Sequence, residues 1–391
     1  MEASRFIIAG SFIDGSGADV RRNVFLALQN GKISAIGPAE ELPCNKETPI
    51  DDFSYCTIVP ALVDCSVSLA RSPAAGRDGR SAAAKVDPGN KAALVAQHIL
   101  YCQAHGVLGV AANDALAGLL EHNQAEMARP GIVAIRTTGA SCRSGKGCSE
   151  GHPAAHGDFL RVNYSGNIDG EKASSVRPTH GELCRILKNR DGRKAVVAAN
   201  GEQQVAEALA AGCDAIEQGY GMGKNNLRKM AEKNVLWIPS LLRAKNQLDS
   251  VSTGGNVCCR FSQRYAAPGK PDPGAEAYWK KMLSGQLAQL RFAKNTGVTA
   301  AVGTGAGSVG ILHGESVVEE MKLFIKAGFS LEETIRCASE NGARFFGMTP
   351  LGRLAVGRAA TFLVARGSAT QLPRKLSYLT AIYVNGEPGT A

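Results

Sequence analysis

Hydrophobic and polar positions follow two different rhythms along the chain. Near the start, short β-like runs at 6–9, 24–28 and 33–36 are broken by turn chemistry at Asp14 to Gly17 and at Asn30-Gly31. That spacing predicts a small antiparallel β unit. The last 40 residues repeat the pattern, with strands at 360–364 and 380–384 and a second Asn-Gly turn at Asn385-Gly386. Between the two ends, apolar segments at 58–67, 107–112, 132–137, 159–164, 195–199, 215–219, 236–241 and 299–303 alternate with helical patterns. The helices are expected at 91–104, 201–211, 225–233 and 317–327, and a capping box from Ser330 to Glu333 opens one more. Eight strands alternating with helices predict an α/β chain built on a (β/α)8 TIM barrel. The expected division is a barrel at 58–349 and a small β-sandwich domain formed by both chain ends, 1–57 plus 350–391.

Bulk properties narrow the function classes. The 391 residues suffice for one large and one small domain. No apolar run reaches the ~20 residues a membrane span needs, and the start, MEASRFIIAG, lacks the pattern of a signal peptide. A cytoplasmic protein without membrane contact is expected. Eleven cysteines is an odd number in such a chain, so reduced, mostly buried thiols are expected in place of a disulfide framework. The net charge of +9 is scattered, as at Arg21-Arg22 and Arg374-Lys375, without a basic-aromatic stripe. This predicts a solvated basic surface and excludes nucleic acid as a partner.

In a barrel of this type, chemistry sits at the C-terminal ends of the strands. The first of these carries Pro-Ala-Leu-Val-Asp-Cys-Ser-Val-Ser-Leu from Pro60 to Leu69. The segment resembles the Pro-Gly-Leu-Ile-Asp-x-His-x-His-Leu element of the metal-dependent amidohydrolase superfamily, in its imidazolonepropionase and Xaa-Pro dipeptidase-like branch. Matches continue in order along the chain: Gly10 to Gly15, Asn30 to Gly37, Ala199-Asn-Gly201, Glu207 to Glu217, Ser339 to Ala343 and Leu351 to Gly357. The resemblance implies a hydrolase acting on non-peptide C–N bonds. It also places metal ligands on five strands, at the positions occupied here by Ser66, Ser68, Arg161, Ala198, Gln218 and Gly305. None of these six is a family ligand. Zinc needs thiolate, imidazole or carboxylate donors, and a guanidinium repels a cation. The metal-activated hydroxide of the family is therefore not expected, nor is any other cofactor.

Asp64, Ser66 and Ser68 share strand parity and are expected to face inward with Arg161. A buried guanidinium needs a partner, and Glu217 alternates away from Gln218, so Asp64 is the expected one. Two readings stay open. An Asp64 to Arg161 pair plugs the mouth, or Arg161 holds a carboxylate or phosphate in a pocket lined by Asp64, Ser66, Ser68, Gln218, Tyr220 and His313.

Two other constellations carry candidate chemistry. Cys142, Cys148, His152 and His156 supply four donors in one loop, an alternative zinc site whose spacing matches no common finger. Gly305, Gly307 and Gly310 satisfy a dinucleotide-binding pattern, but no second strand with an acidic residue follows. Cys258-Cys259 reads as a pair of buried thiols. The leading expectation is a pseudoenzyme with a degenerate metal site, a homo-oligomer that binds a small anion or serves in assembly. The alternatives are a hydrolase with a metal-independent or relocated site, and a zinc protein using the Cys/His loop.

Overall fold

A computed structural model describes residues 4–43, 48–74, 88–114, 116, 133–138, 157–165, 168, 177–252, 256–258, 263–265 and 273–389. The chain opens with β1 (Arg5–Phe12), β2 (Arg21–Gln29), β3 (Lys32–Pro38) and β4 (Ile50–Pro60). Next come β5 (Leu62–Val67), β6 (Val107–Ala112), β7 (Ala134–Thr137), β8 (Phe159–Asn163), β9 (Lys194–Ala199), β10 (Ala215–Gln218) and β11 (Leu236–Ile238). A short hairpin of β12 (Asn256–Cys258) and β13 (Gln263–Tyr265) follows, and β14 (Phe362–Arg366), β15 (Leu379–Val384) and β16 (Glu387–Gly389) close the chain.

Both ends of the chain share one mixed seven-stranded sheet, ordered β16-β15-β14-β4-β1-β2-β3. Both Asn-Gly turns adopt the left-handed backbone their sequence favours, with φ of 51° and 74° at Asn30 and Gly31, and 50° and 81° at Asn385 and Gly386. Ile7, Phe12, Leu26, Ile33, Ile58, Phe362 and Tyr383 bury one face of this sheet. The strand expected at 58–67 is in fact two. Pro60 has no N–H to donate and ends β4 inside the terminal sheet, where it lies opposite Phe362; the chain then turns through Ala61 into the barrel.

The barrel is formed by parallel sheets β5-β6-β7 and β8-β9-β10-β11. Bridges from Thr138 to Phe159 and from Trp237 to Ala300 join them, and a bridge from Val67 to Ala306 completes the circle. The eighth position, 299–306, has no regular strand. It still closes the barrel, because Cys65 N donates to Val302 O at 2.9 Å and Gly305 N to Ser66 O at 2.8 Å. Val63, Cys65, Ala111, Phe159, Val196, Ala215, Leu236, Ile238 and Ala301 fill the interior, and Phe346 and Met348 cover one end.

Around the barrel lie α1 (Pro88–Ala104), α2 (His180–Lys188), α3 (Glu202–Ala210), α4 (Gly223–Glu232), α5 (Leu241–Ser252), α6 (Pro273–Thr296), α7 (Ser316–Lys326), α8 (Leu331–Cys337) and α9 (Glu340–Phe345). The Ser330 capping box is present, and a second one at Thr179 and Glu182 opens α2. Among the described residues no helix is long and apolar enough to cross a membrane. (β/α)8 barrel and terminal β sheet are thus the architecture.

Candidate functional site at the barrel mouth

The pairing of β5 with β6 slips between Asp64 and Val67. Alternation along the strand is broken there, which overturns the expectation that Asp64 and Ser66 face the same way. Asp64 bonds to the closing segment, accepting from Thr304 N at 2.9 Å, Thr304 Oγ1 at 2.6 Å and Ser66 N at 3.2 Å. Burial pushes its carboxyl up to about 6 against these donors. Ser66 turns the other way: its hydroxyl donates to Glu217 Oε1 at 2.7 Å and accepts from Asn113 Nδ2 at 3.0 Å.

Arg161 lies two residues beyond Phe159, and Glu217 two beyond Ala215. Both earlier residues belong to the barrel interior, so period-two alternation aims Arg161 and Glu217 inward as well. They meet as an ion pair, with Arg161 Nε 2.6 Å from Glu217 Oε2 and side chains only 10% and 1% exposed. The expected Asp64 to Arg161 pair does not form. Gln218 does not set the inward face of its strand: it ends the strand at a φ of 71°, and its side chain accepts from Asn200 Nδ2 at 2.9 Å. Arg161 Nη1 donates to Asn163 Oδ1 at 2.6 Å, and Nη2 makes no hydrogen bond to any described residue. Burial opposes ionisation of Glu217, but the charge and hydrogen bond of Arg161, with Arg243 and Ser66 behind them, hold its carboxyl below the ordinary range.

Arg243, on α5, is a further cation that the sequence did not single out. A side chain at Gly305 would bring its Cβ within 2.7 Å of Arg243 Nε and 3.0 Å of Nη2. Position 305 can therefore carry no side chain while that guanidinium stays in place.

The other expected residues brace the surrounding loops. Ser68 Oγ donates to Asp114 at 2.8 Å, and Tyr220 OH donates to Ser240 O at 2.7 Å. The His313 ring stacks on His98 with centroids 3.7 Å apart. His98 Nδ1 donates to Leu69 O at 2.7 Å and His313 Nε2 to Ser68 O at 2.9 Å. Carbonyls only accept, so both tautomers are fixed and His313 Nδ1 is unprotonated; it has no partner among the described residues. Burial, then the neighbouring His98, lowers His313 to about 3. Ala198 is buried and offers its carbonyl to Tyr164 N at 2.9 Å. The glycine turn is explained by packing, since a Cβ at Gly307 would lie 2.5 Å from Ser68 O. Cys142, Cys148, His152, His156 and Cys259 lie outside the described residues.

The mouth thus brings together Ser66 and Arg161 from the expected set with Glu217, Asn113, Asn163 and Arg243, which were missed. Counting parity from Ala215 was the available signal for Glu217. Among the described residues no three His, Cys, Asp or Glu side chains are placed to hold a metal. The groups present do not fit a divalent cation: the Arg161 guanidinium occupies the mouth, and the Glu217 carboxylate already serves Arg161 and Ser66. What this arrangement suits is an oxyanion approaching Arg161.

Residues 182–388 match the Amidohydrolase family. No curated protein matches the chain. Among solved structures it is similar to a Xaa-Pro dipeptidase with bound methionine in the active site, at 19% identity and a TM-score of 0.78 over 99% of this chain and 100% of that one. It is also similar to A. niger ochratoxinase, at 16% identity and a TM-score of 0.77 over 99% and 96%. A putative prolidase from Bifidobacterium longum gives 17% identity and a TM-score of 0.75 over 100% and 95%. At these identities the likeness is one of fold.

Proposed function

The chain belongs to the amidohydrolase family, and from that premise we propose that it is a member without metal-dependent hydrolysis, whose barrel mouth binds a small anion. The observation that carries this reading is Arg161, anchored on Glu217 and Asn163 with Nη2 making no hydrogen bond to the described residues. A guanidinium fixed on two sides loses little freedom on binding, and its bonds to a carboxylate or phosphate are charge-assisted. We place the protein in a reducing compartment, the cytoplasm, in keeping with the free thiols of Cys56, Cys65, Cys102, Cys184, Cys213 and Cys337. A division into a barrel at 58–349 and a sandwich from 1–57 plus 350–391, and assembly as a homo-oligomer, belong to the same proposal.

A second reading rests on one contact. Ser66 Oγ lies 2.7 Å from a Glu217 oxygen, the geometry of a nucleophile beside a base. A carboxyl held below its ordinary range is a weak base at neutral pH, and Ser66 is fully buried, so anion binding is favoured.

The test is elemental mass spectrometry of protein purified without added metal, on wild type and Cys148→Ser, paired with titration of small carboxylates and inorganic phosphate followed by calorimetry. Metal near zero, with an anion bound by wild type and lost in Arg161→Met/Glu217→Gln, supports the reading. That double variant removes both charges of the Arg161 and Glu217 pair together. About one zinc per chain that disappears in Cys148→Ser would move the chemistry to the Cys/His loop, and metal retained in both proteins would overturn the reading of the mouth.

A further inference from the structure

We propose that Arg243 is a second ligand-binding residue of this mouth, and that with Arg161 it selects a small dicarboxylate; the inference rests on the anion-binding reading above. The resemblance puts the family's aspartate ligand at position 305. Here Gly305 has a φ of 74° and Arg243 Nε stands 2.7 Å from where its Cβ would be. The two features are mutually exclusive, since any side chain at 305 displaces the guanidinium. One replacement thus removes an anionic group and makes room for a cationic one, reversing the charge at that point of the mouth.

The two arginines reach Glu217 from different elements. Arg161 comes from β8, and Arg243 from α5, which follows β11; β10, carrying Glu217, is the neighbour of β11. Arg243 is close enough for its charge to bear on the Glu217 carboxyl, and it is itself only 7% exposed. Through Ser66, whose carbonyl accepts from Gly305 N and whose hydroxyl donates to Glu217, the carboxylate is linked to the segment that Arg243 packs against, and its own charge is satisfied by Arg161 and Ser66. A single compact anion approaching both arginines at once is driven against that carboxylate. A ligand with two carboxylates separated by a short carbon chain places one on each guanidinium and keeps its neutral middle over Glu217.

Succinate and butyrate share a four-carbon chain and differ in one carboxylate, so calorimetric titration of wild type with each isolates the second contact. Wild type is expected to bind succinate at least about tenfold more tightly, the factor one added charge-assisted contact supplies. Arg243→Met should bring succinate down to the butyrate level and leave butyrate unchanged, and Arg243→Lys should recover part of the preference. Equal affinities in wild type, or a preference that survives in Arg243→Met, overturn the role of Arg243 while anion binding at Arg161 stands. No binding of either acid, or binding unaffected in Arg161→Met/Glu217→Gln, overturns the underlying reading. Should Arg243→Met fail to fold by circular dichroism, the wild-type preference alone decides.

Discussion

Arg161 and Glu217 meet at 2.6 Å although their strands are not neighbours: β9 lies between β8 and β10. The pair therefore spans the barrel interior and leaves the hydrogen-bonded ladder unchanged. Because both side chains are almost fully buried, removing one partner strands a charge. Glu217→Ala is expected to cost about 3–5 kcal/mol. The double variant Arg161→Met/Glu217→Met should lose clearly less than the sum of the single changes. Urea unfolding in a double-mutant cycle measures this, and strictly additive losses would show that the pair is not coupled.

Acid should weaken the fold through His313. Its folded value, about 3, lies below the ordinary 6.5. Below pH 6.5 the unfolded chain therefore takes up a proton that the folded chain refuses, and stability falls as pH falls from about 6.5 towards 3. Between pH 6.5 and pH 4 the loss from this group is about 3 kcal/mol. His313→Phe keeps a ring against His98 and should flatten that limb of the stability profile, which denaturant titration across the pH range will reveal. A profile as steep as wild type would assign the acid loss to other groups.

Glu320 acts with the opposite sign. Burial raises its carboxyl from 4.5 to about 8, although Leu241 N and Leu242 N donate to it at 2.8 and 2.7 Å. The folded chain holds a proton that the unfolded chain has released, so this contribution is complete below pH 4.5 and is lost as pH rises through 8. Glu320→Ala removes the acceptor from two buried amides at the start of α5, an expected loss of about 2–4 kcal/mol. Hydrogen exchange resolved to 241–252 should show faster opening of this helix first, and unchanged protection there would rule the cap out.

Asp64 closes the barrel from β5 to the irregular segment at 299–306. Asp64→Ala leaves Thr304 N and Oγ1 without their acceptor, at an expected cost of about 3 kcal/mol. Asp64→Asn keeps an acceptor and should cost roughly half as much by the same reasoning. Thermal melts of the two variants separate them, and indistinguishable melts would mean that the acceptor is not what matters.

The local patterns that decide element type were legible in the residues. β6 was read to the residue at Val107–Ala112, and both Asn-Gly hairpins formed where a left-handed turn was required. The eight strand positions of the barrel were also legible, because a buried parallel strand must be a continuous apolar run. What failed was alternation at the ends of strands. Gln218 ends its strand with a positive φ, and β5 slips against β6 between Asp64 and Val67. A shift of one residue turns a side chain to the other face. Arg161 accordingly pairs with Glu217 and not with Asp64.

By itself, the sequence determined the barrel and the sheet made from both ends, because both follow from turn chemistry and from the period of apolar positions along the chain. Only the tertiary structure decided how those groups are paired. The partners of Arg161, Ser66 and Gly305 are Glu217, Asn113 and Arg243, which lie far from them along the chain or on other elements. Their meeting depends on barrel closure and on where β5 slips register against β6, and a linear pattern does not carry that geometry.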